Sequence, residues 1–310
     1  MATQRLNEQA AGVFIISATP FADDGSLDLQ STDRLIEFYI EQGVSGITVL
    51  GMMGEAHKLS ANESAAFLKR VLQRVADRVP VVVGVSNAGM DNLTSLAHTA
   101  MEAGAAGVMV APTAGLGTEA KVMAYFRQVF AGLGESVPVC YQDYPFVTRS
   151  EISVATFNQL VADYPQLVML KHEEWPGLGK LSAVRKAAAD GLRRVAVLVG
   201  NGGLYLPQEL ARGADGAMTG FAYPEMLVEV VRLWRQGEQD RAEDLFDAYL
   251  PLVRHEQQPG FGLALRKEVL RRRGAIATAH VRAPGPQLSA IDFDELTRLI
   301  TRVEKNLEEV

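Results

Sequence analysis

The 310-residue sequence has one cysteine, Cys140. No intrachain disulfide can form, so the fold must rest on its core, and a reducing setting, the cytoplasm, is expected. Cys140 sits in the apolar stretch 137–141, where it reads as a small buried hydrophobe more readily than as a nucleophile. Positive charge is also short: 30 Lys and Arg against 37 Asp and Glu give a net charge of -7. Nothing resembles a basic patch, which removes nucleic acid as a partner. An acidic average still permits an anionic small molecule, because a local site can reverse the field. No window approaches the roughly 18 apolar residues of a membrane helix, so no membrane partner is expected. Residues 1–11 are polar and lack the apolar core of a signal peptide. No group of His, Cys and carboxylate residues has metal-ligand spacing, and no cofactor is expected. Low-complexity segments and long disordered linkers are missing too. What remains is ordinary globular composition, 48% hydrophobic and 22% charged, in a chain long enough to bury a large core.

Within that composition one mark recurs. Residues 41–46 read EQGVSG, 102–107 EAGAAG and 211–216 ARGADG. Each follows a helix-period stretch and precedes a short apolar run. A helix closed by a left-handed Gly, feeding a buried parallel strand, accounts for the pattern. Strands are expected at 13–18, 47–50, 81–85, 108–110, 137–141, 167–170, 195–199 and 217–219. Helices are expected between and after them, at 29–42, 61–75, 92–103, 119–132, 154–162, 178–189, 204–211 and 225–236. Ser60-Ala-Asn-Glu63 reads as a capping box, and 200–203 (GNGG) as a flexible loop. Eight alternating pairs predict a (β/α)8 TIM barrel over residues 1–236. An open doubly wound sheet is the competing architecture, but it wants a Gly-rich phosphate fingerprint after the first strand, and Thr19-Pro-Phe-Ala-Asp-Asp-Gly25 stands there. Residues 237–310 carry helical patterns only, at 241–255, 260–273 and 292–307, and predict a helical appendage packed on the barrel.

Barrel enzymes place chemistry at the C-terminal strand ends. The sixth strand closes on Lys171, followed by His172, Glu173 and Glu174. Lys171 could snorkel to water, or be a desolvated amine, neutral and nucleophilic. The neighbouring carboxylates favour the ammonium form, yet could move protons once an imine exists. After the second strand comes Gly51-Met52-Met53-Gly54-Glu55, a tight loop whose free N–H groups suit a carboxylate. His57 and His172 are more simply structural than catalytic. Trp175 could wall a pocket or just pack, and Arg271-Arg-Arg273 reads as a solvated helix end.

In these residues, and in their order, the chain resembles the dihydrodipicolinate synthase / N-acetylneuraminate lyase family along nearly its whole length. Residues 51–55 resemble the family's Gly-Thr-Thr-Gly-Glu motif, which binds the 2-oxo acid carboxylate. Ala111-Pro112 resembles the end of the fourth strand. Gln142-Asp143-Tyr144-Pro145 falls where the family has Tyr-Asn-x-Pro. Lys171 matches the Schiff-base lysine, and 216–220, with Thr219 and Gly220, the end of the eighth strand. The resemblance implies a lyase that forms an imine with a 2-oxo acid, needs no metal, and assembles as a homodimer or homotetramer.

Departures narrow it. The motif threonines are Met52 and Met53. The catalytic tyrosine falls on Gln142, or on Tyr141 after a one-residue shift. The synthase's substrate arginine falls on Val147 and its intersubunit tyrosine on Ala114. The hydroxyl relay of 4-hydroxy-tetrahydrodipicolinate synthase is therefore missing. Gln-Asp-x-Pro, Lys171-x-Glu173, Tyr223-Pro224 and residues 250–256 are instead similar to the L-2-keto-3-deoxyarabonate dehydratase branch. The expected catalytic residues are Lys171 with Glu173, Tyr144 or Tyr141, either tyrosine being open to a packing role instead. Gly51, Met52, Met53, Gly54, Glu55, Gln142, Asp143, Thr219 and Gly220 are expected to bind substrate. Aldolase or dehydratase action on a 2-keto-3-deoxy sugar acid leads. The synthase reaction, or a non-catalytic 2-oxo acid binder on a degenerate barrel, are the alternatives.

Overall fold

The computed structural model describes residues 5–308. The barrel half runs β1 (Gly12–Ile16), α1 (Leu29–Glu41), β2 (Gly46–Val49), α2 (Ala61–Val75), β3 (Val81–Gly84), α3 (Met90–Glu102), β4 (Gly107–Val110) and α4 (Glu119–Leu133). It continues with β5 (Val139–Asp143), α5 (Pro145–Thr148), α6 (Val154–Asp163), β6 (Leu167–His172), α7 (Leu178–Ala189), β7 (Ala196–Val199), α8 (Leu206–Ala211), β8 (Gly216–Ala217) and α9 (Pro224–Arg235). All strands pair in parallel with their sequence neighbours, and β8 closes on β1. Closure rules out the open sheet.

The three repeated junctions behave as their chemistry dictates. Gly43, Gly104 and Gly213 hold φ of 79°, 101° and 91° just past the ends of α1, α3 and α8. The Ser60–Glu63 capping box is formed at α2. Strand residues are buried on both faces, which is why their apolar runs are continuous. Val13 and Ile15 join the layer between barrel and helices, while Phe14 and Ile16 join the barrel interior. Cys140, Met169 and Met218 are interior residues as well.

Several boundaries differ from expectation: β1 stops at Ile16 and not at residue 18, and β6 runs two residues past 170, to His172. β5 starts two residues later and runs on to Asp143. The short α5 follows it, opened by Pro145 at a first-turn position that needs no N–H. β8 is only two residues long.

After α9 come α10 (Gln239–Glu256), α11 (Gly262–Arg272) and α12 (Ala290–Leu307). α10 packs on α9 and α12. Lys267 of α11 is fully buried and donates to Glu55 Oε1 at 2.6 Å, the Thr19 carbonyl at 2.9 Å and the His280 carbonyl at 2.8 Å. Arg273 is not the solvated helix end expected. It reaches Glu225 at 2.6 Å and the Ala222 carbonyl at 2.6 Å, over the rings of Tyr223 and Phe38. These bonds join the last helices to the strand-end loops. No described helix is long and apolar enough to cross a membrane.

Candidate active site

Lys171 is the fifth residue of β6 and stands beside Gln142 of β5 in the ladder. Strand alternation puts Lys171 on the same face as Met169, and Gln142 on the same face as Cys140, both in the barrel interior. The amine therefore sits at the mouth of the barrel, with only 5% of the residue exposed. Its Nζ is 2.9 Å from Glu173 Oε2. The same oxygen accepts from Gln142 Nε2 at 2.8 Å. One carboxylate thus bridges a primary amine and a neutral amide donor, both buried.

Glu173 reaches this position because Gly200 leaves room for it. A Cβ on Gly200 would lie 2.2 Å from Glu173 Cγ. The Asn201 amide donates to the Glu173 carbonyl at 3.1 Å, which fixes its backbone. The 200–203 stretch is thus an ordered turn containing a 3-10 helix, Asn201–Gly203, and not a mere flexible linker. Its sequence gave no hint that Gly200 serves a residue 27 positions earlier.

Across the mouth lies the β2 loop. Gly51 is buried against Met109 and Ile16 of the interior. Among the described residues, nothing accepts the backbone N–H groups of Met52, Met53 and Gly54. Met52 is exposed. The Met53 side chain leans on Gly220, where a Cβ would lie 2.1 Å from its sulfur. Thr219 Oγ1 accepts from Gly202 N–H at 2.7 Å and so locks the β7 turn to the β8 end. Sequence reasoning missed Thr48, a buried threonine whose Oγ1 has no hydrogen-bond partner. It alternates with Ile47 and Val49 of the outer layer, so it faces the interior.

Tyr144 is partly exposed at the end of β5. Burial pushes its hydroxyl up to about 12, with the charge of Glu173 adding to the rise and that of Arg266 opposing it. The hydroxyl thus stays protonated, within electrostatic reach of Glu173.

Other expected residues are not brought to this place. Tyr141 points outward, its ring 4.8 Å from Phe126 and 5.9 Å from Phe157, with a fully buried and unpartnered hydroxyl. The one-residue shift that would have made it catalytic is incompatible with the alternation that puts Gln142 inside. Asp143 shares that outward face and pairs with Lys180 of α7 at 2.8 Å. Glu55 points away from the mouth into a cluster with Lys58 Nζ at 2.9 Å, Lys267 Nζ at 2.6 Å and the Arg282 N–H at 3.0 Å. As substrate ligands through their side chains, Asp143 and Glu55 are thus spent on structure.

His57 is exposed. His172 lies behind the barrel, with Nε2 2.9 Å from the Gly177 carbonyl and Nδ1 3.6 Å from Asp143. Burial alone would favour its neutral ring, but Asp143 outweighs that and raises its pKa. Trp175 is 55% exposed and meets Tyr205 edge to face at 5.5 Å. Cys140 is fully buried, and burial pushes its thiol up to about 12, which makes it inert. Among the described residues, no group of three His, Cys, Asp or Glu side chains could hold a metal ion.

A closed (β/α)8 barrel with a buried lysine at the end of its sixth strand, touching a carboxylate, has the build of a lysine-dependent lyase. A family model described as the dihydrodipicolinate synthetase family matches residues 9–303, and the chain belongs to that family. It is a Schiff-base lyase acting on pyruvate-type substrates. L-2-keto-3-deoxyarabonate dehydratase of Azospirillum brasilense is 29% identical over 297 residues, covering 94% of each chain. The crystal structure of dihydrodipicolinate synthase from Rhodopseudomonas palustris is 46% identical, with a TM-score of 0.94 over 96% of this chain and 99% of that one. YagE of Escherichia coli K12, a prophage protein of the dihydrodipicolinic acid synthase family solved in complex with pyruvate, is 26% identical. Its TM-score is 0.86 over 95% of this chain and 98% of that one.

Proposed function

We propose that the protein is a dehydratase of a 2-keto-3-deoxy sugar acid. The observation that carries this reading is Glu173 Oε2, shared between Lys171 Nζ and Gln142 Nε2. Lys171, as the free amine, attacks the C2 ketone. A C–N bond forms and the carbonyl oxygen takes a proton. That carbinolamine takes up a proton from solvent and loses water, which gives the protonated imine. Glu173, the nearest base, removes a proton from C3, and the electron pair moves into the enamine. The enamine then expels the C4 hydroxyl, which leaves as water with the proton that Glu173 returns. Hydrolysis of the conjugated imine frees Lys171. Gln142 holds Glu173 in place, and the Tyr144 hydroxyl donates to a substrate oxygen. The β2 loop, Gly51 to Gly54, and the Thr219-Gly220 end take the carboxylate and wall the mouth. On this reading the chain works in the cytoplasm as a homodimer or homotetramer, and the fully buried Cys140 thiol suits a reducing setting.

The dehydratase relative supports this choice, as does the missing hydroxyl relay. The synthase reaction remains a second reading because the 46% identical Rhodopseudomonas palustris protein bears the synthase name. Two assays decide. Borohydride reduction with pyruvate, followed by peptide mass analysis, is expected to mark Lys171. No adduct with any of several 2-oxo acids would leave only a non-catalytic binder. Water loss from 2-keto-3-deoxy sugar acids is then compared with condensation of pyruvate and aspartate semialdehyde. Turnover in the second assay alone overturns the dehydratase.

A further inference from the structure

Arg266 belongs to α11, outside the barrel proper, yet it is only 8% exposed. Its Nε donates to Glu256 Oε2 at 2.9 Å. Its Nη1 donates to the thioether of Met53 at 3.1 Å. A thioether is a weak acceptor for a guanidinium, and burying a charge against one is costly unless something better takes its place. Met53 is the third residue of the β2 loop, beside the three N–H groups that no backbone acceptor takes. Its sulfur also rests on Gly220 at the end of β8. The neighbouring Gln257 lies against Gly202, where a Cβ would come within 1.9 Å of its amide. The α10–α11 corner therefore covers the mouth between β2, β7 and β8. β2 stands across the barrel from the β6 strand that bears Lys171.

From this we infer that Arg266 binds the C1 carboxylate of the 2-oxo acid, a specificity role resting on the reading of Lys171 as the imine-forming residue. The carboxylate lies against the N–H groups of Met52, Met53 and Gly54 and takes the Nη1 donor from the thioether as Met53 swings aside. A charge-assisted bond to a carboxylate replaces a weak one to sulfur. Glu256, fully buried on the far side of the guanidinium, aims it by holding Nε. The methionines that occupy the motif's threonine positions supply no hydroxyl, and the guanidinium supplies the missing donor from another element.

Noncovalent binding of pyruvate to full-length Lys171→Ala, measured by calorimetry, reads this anchor without imine formation. Arg266→Met is paired with Glu256→Leu so that no buried charge is orphaned, and Arg266→Lys keeps the charge but loses the fork. The Kd for pyruvate is expected to rise about 30-fold in the paired variant and about 5-fold in Arg266→Lys, against a change of less than about 3-fold for uncharged pyruvamide. Unchanged pyruvate binding, equal losses for pyruvate and pyruvamide, or no pyruvate binding by Lys171→Ala itself would each overturn the assignment. Borohydride trapping on the chain with Lys171 intact keeps the two readings apart. Failure to trap sinks the imine, while the calorimetry still decides Arg266.

Discussion

Gln142 and Lys171 are ladder partners across β5 and β6, and both donors reach the same oxygen, Glu173 Oε2. The strand register therefore sets the position of the acid–base group as well as the nucleophile. Imine formation needs the amine, the ketone and a proton for the departing oxygen, which solvent can supply, whereas C3 deprotonation and departure of the C4 hydroxyl need the carboxylate.

Glu173→Gln is therefore expected to keep borohydride trapping at Lys171 while kcat for dehydration falls about 10²- to 10⁴-fold. Gln142→Leu leaves Glu173 held by Lys171 alone, and a smaller fall of about 10-fold is expected. Loss of trapping in Glu173→Gln, in a chain that still folds, would instead tie the carboxylate to the first step.

The two neighbouring tyrosines should separate cleanly. Tyr144→Phe removes a hydroxyl at the mouth and is expected to lower kcat about 10-fold or more, with Tm unchanged. Tyr141→Phe removes a buried hydroxyl with no partner. It is expected to leave activity alone and to stabilise the fold by about 1 kcal/mol in a denaturant titration. The reverse pattern would restore the shifted register.

Stability should fall as pH rises through neutrality. Burial pushes Glu209 of α8 up to about 7, with the nearby His172 opposing. The folded chain thus binds this proton more tightly than the unfolded chain does. The resulting stabilisation is complete below the unfolded value of about 4.3 and is lost as pH rises through about 7. His172 is also raised, so its contribution is lost in the same direction, above its ordinary value near 6.5. Tm is expected to drop between pH 5 and 8. Glu209→Gln should flatten that drop and stabilise the chain at pH 8 by about 4 kcal/mol at most. Parallel Tm–pH curves for the two proteins would refute the role of Glu209.

Glu55→Gln leaves Lys267 buried without its counter-charge, and a loss of about 3–5 kcal/mol is expected from denaturant unfolding. Activity per folded molecule should change little, about 2-fold. Full stability with lost substrate binding would return Glu55 to the site.

The barrel was legible because its signals are local. Gly43, Gly104 and Gly213 close their helices within a few residues of the strands they feed, and a strand buried on both faces shows as an unbroken apolar run. Lys171 and Glu173 were legible as polar residues ending such a run. Tyr141, left open between catalysis and packing, and Asp143, expected at the substrate, both lie on the outer face, and the signal for that was present in the sequence. With period-two alternation, Gln142 and Tyr144 share one side and Tyr141 and Asp143 the other. The long-range partners were invisible. Nothing near Glu55 announces Lys267, 212 residues on, and nothing near Met53 announces Arg266, 213 residues on.

The corner between α10 and α11 puts Gln257 against the β7 turn and Arg266 against the β2 loop. A search for a new substrate range in such a barrel starts at the strand-end loops, where the chemistry lies. Here a library confined to those loops would leave one wall of the entrance unsampled. A chimera that exchanged only the last helices would be expected to inherit the donor's preference at that wall.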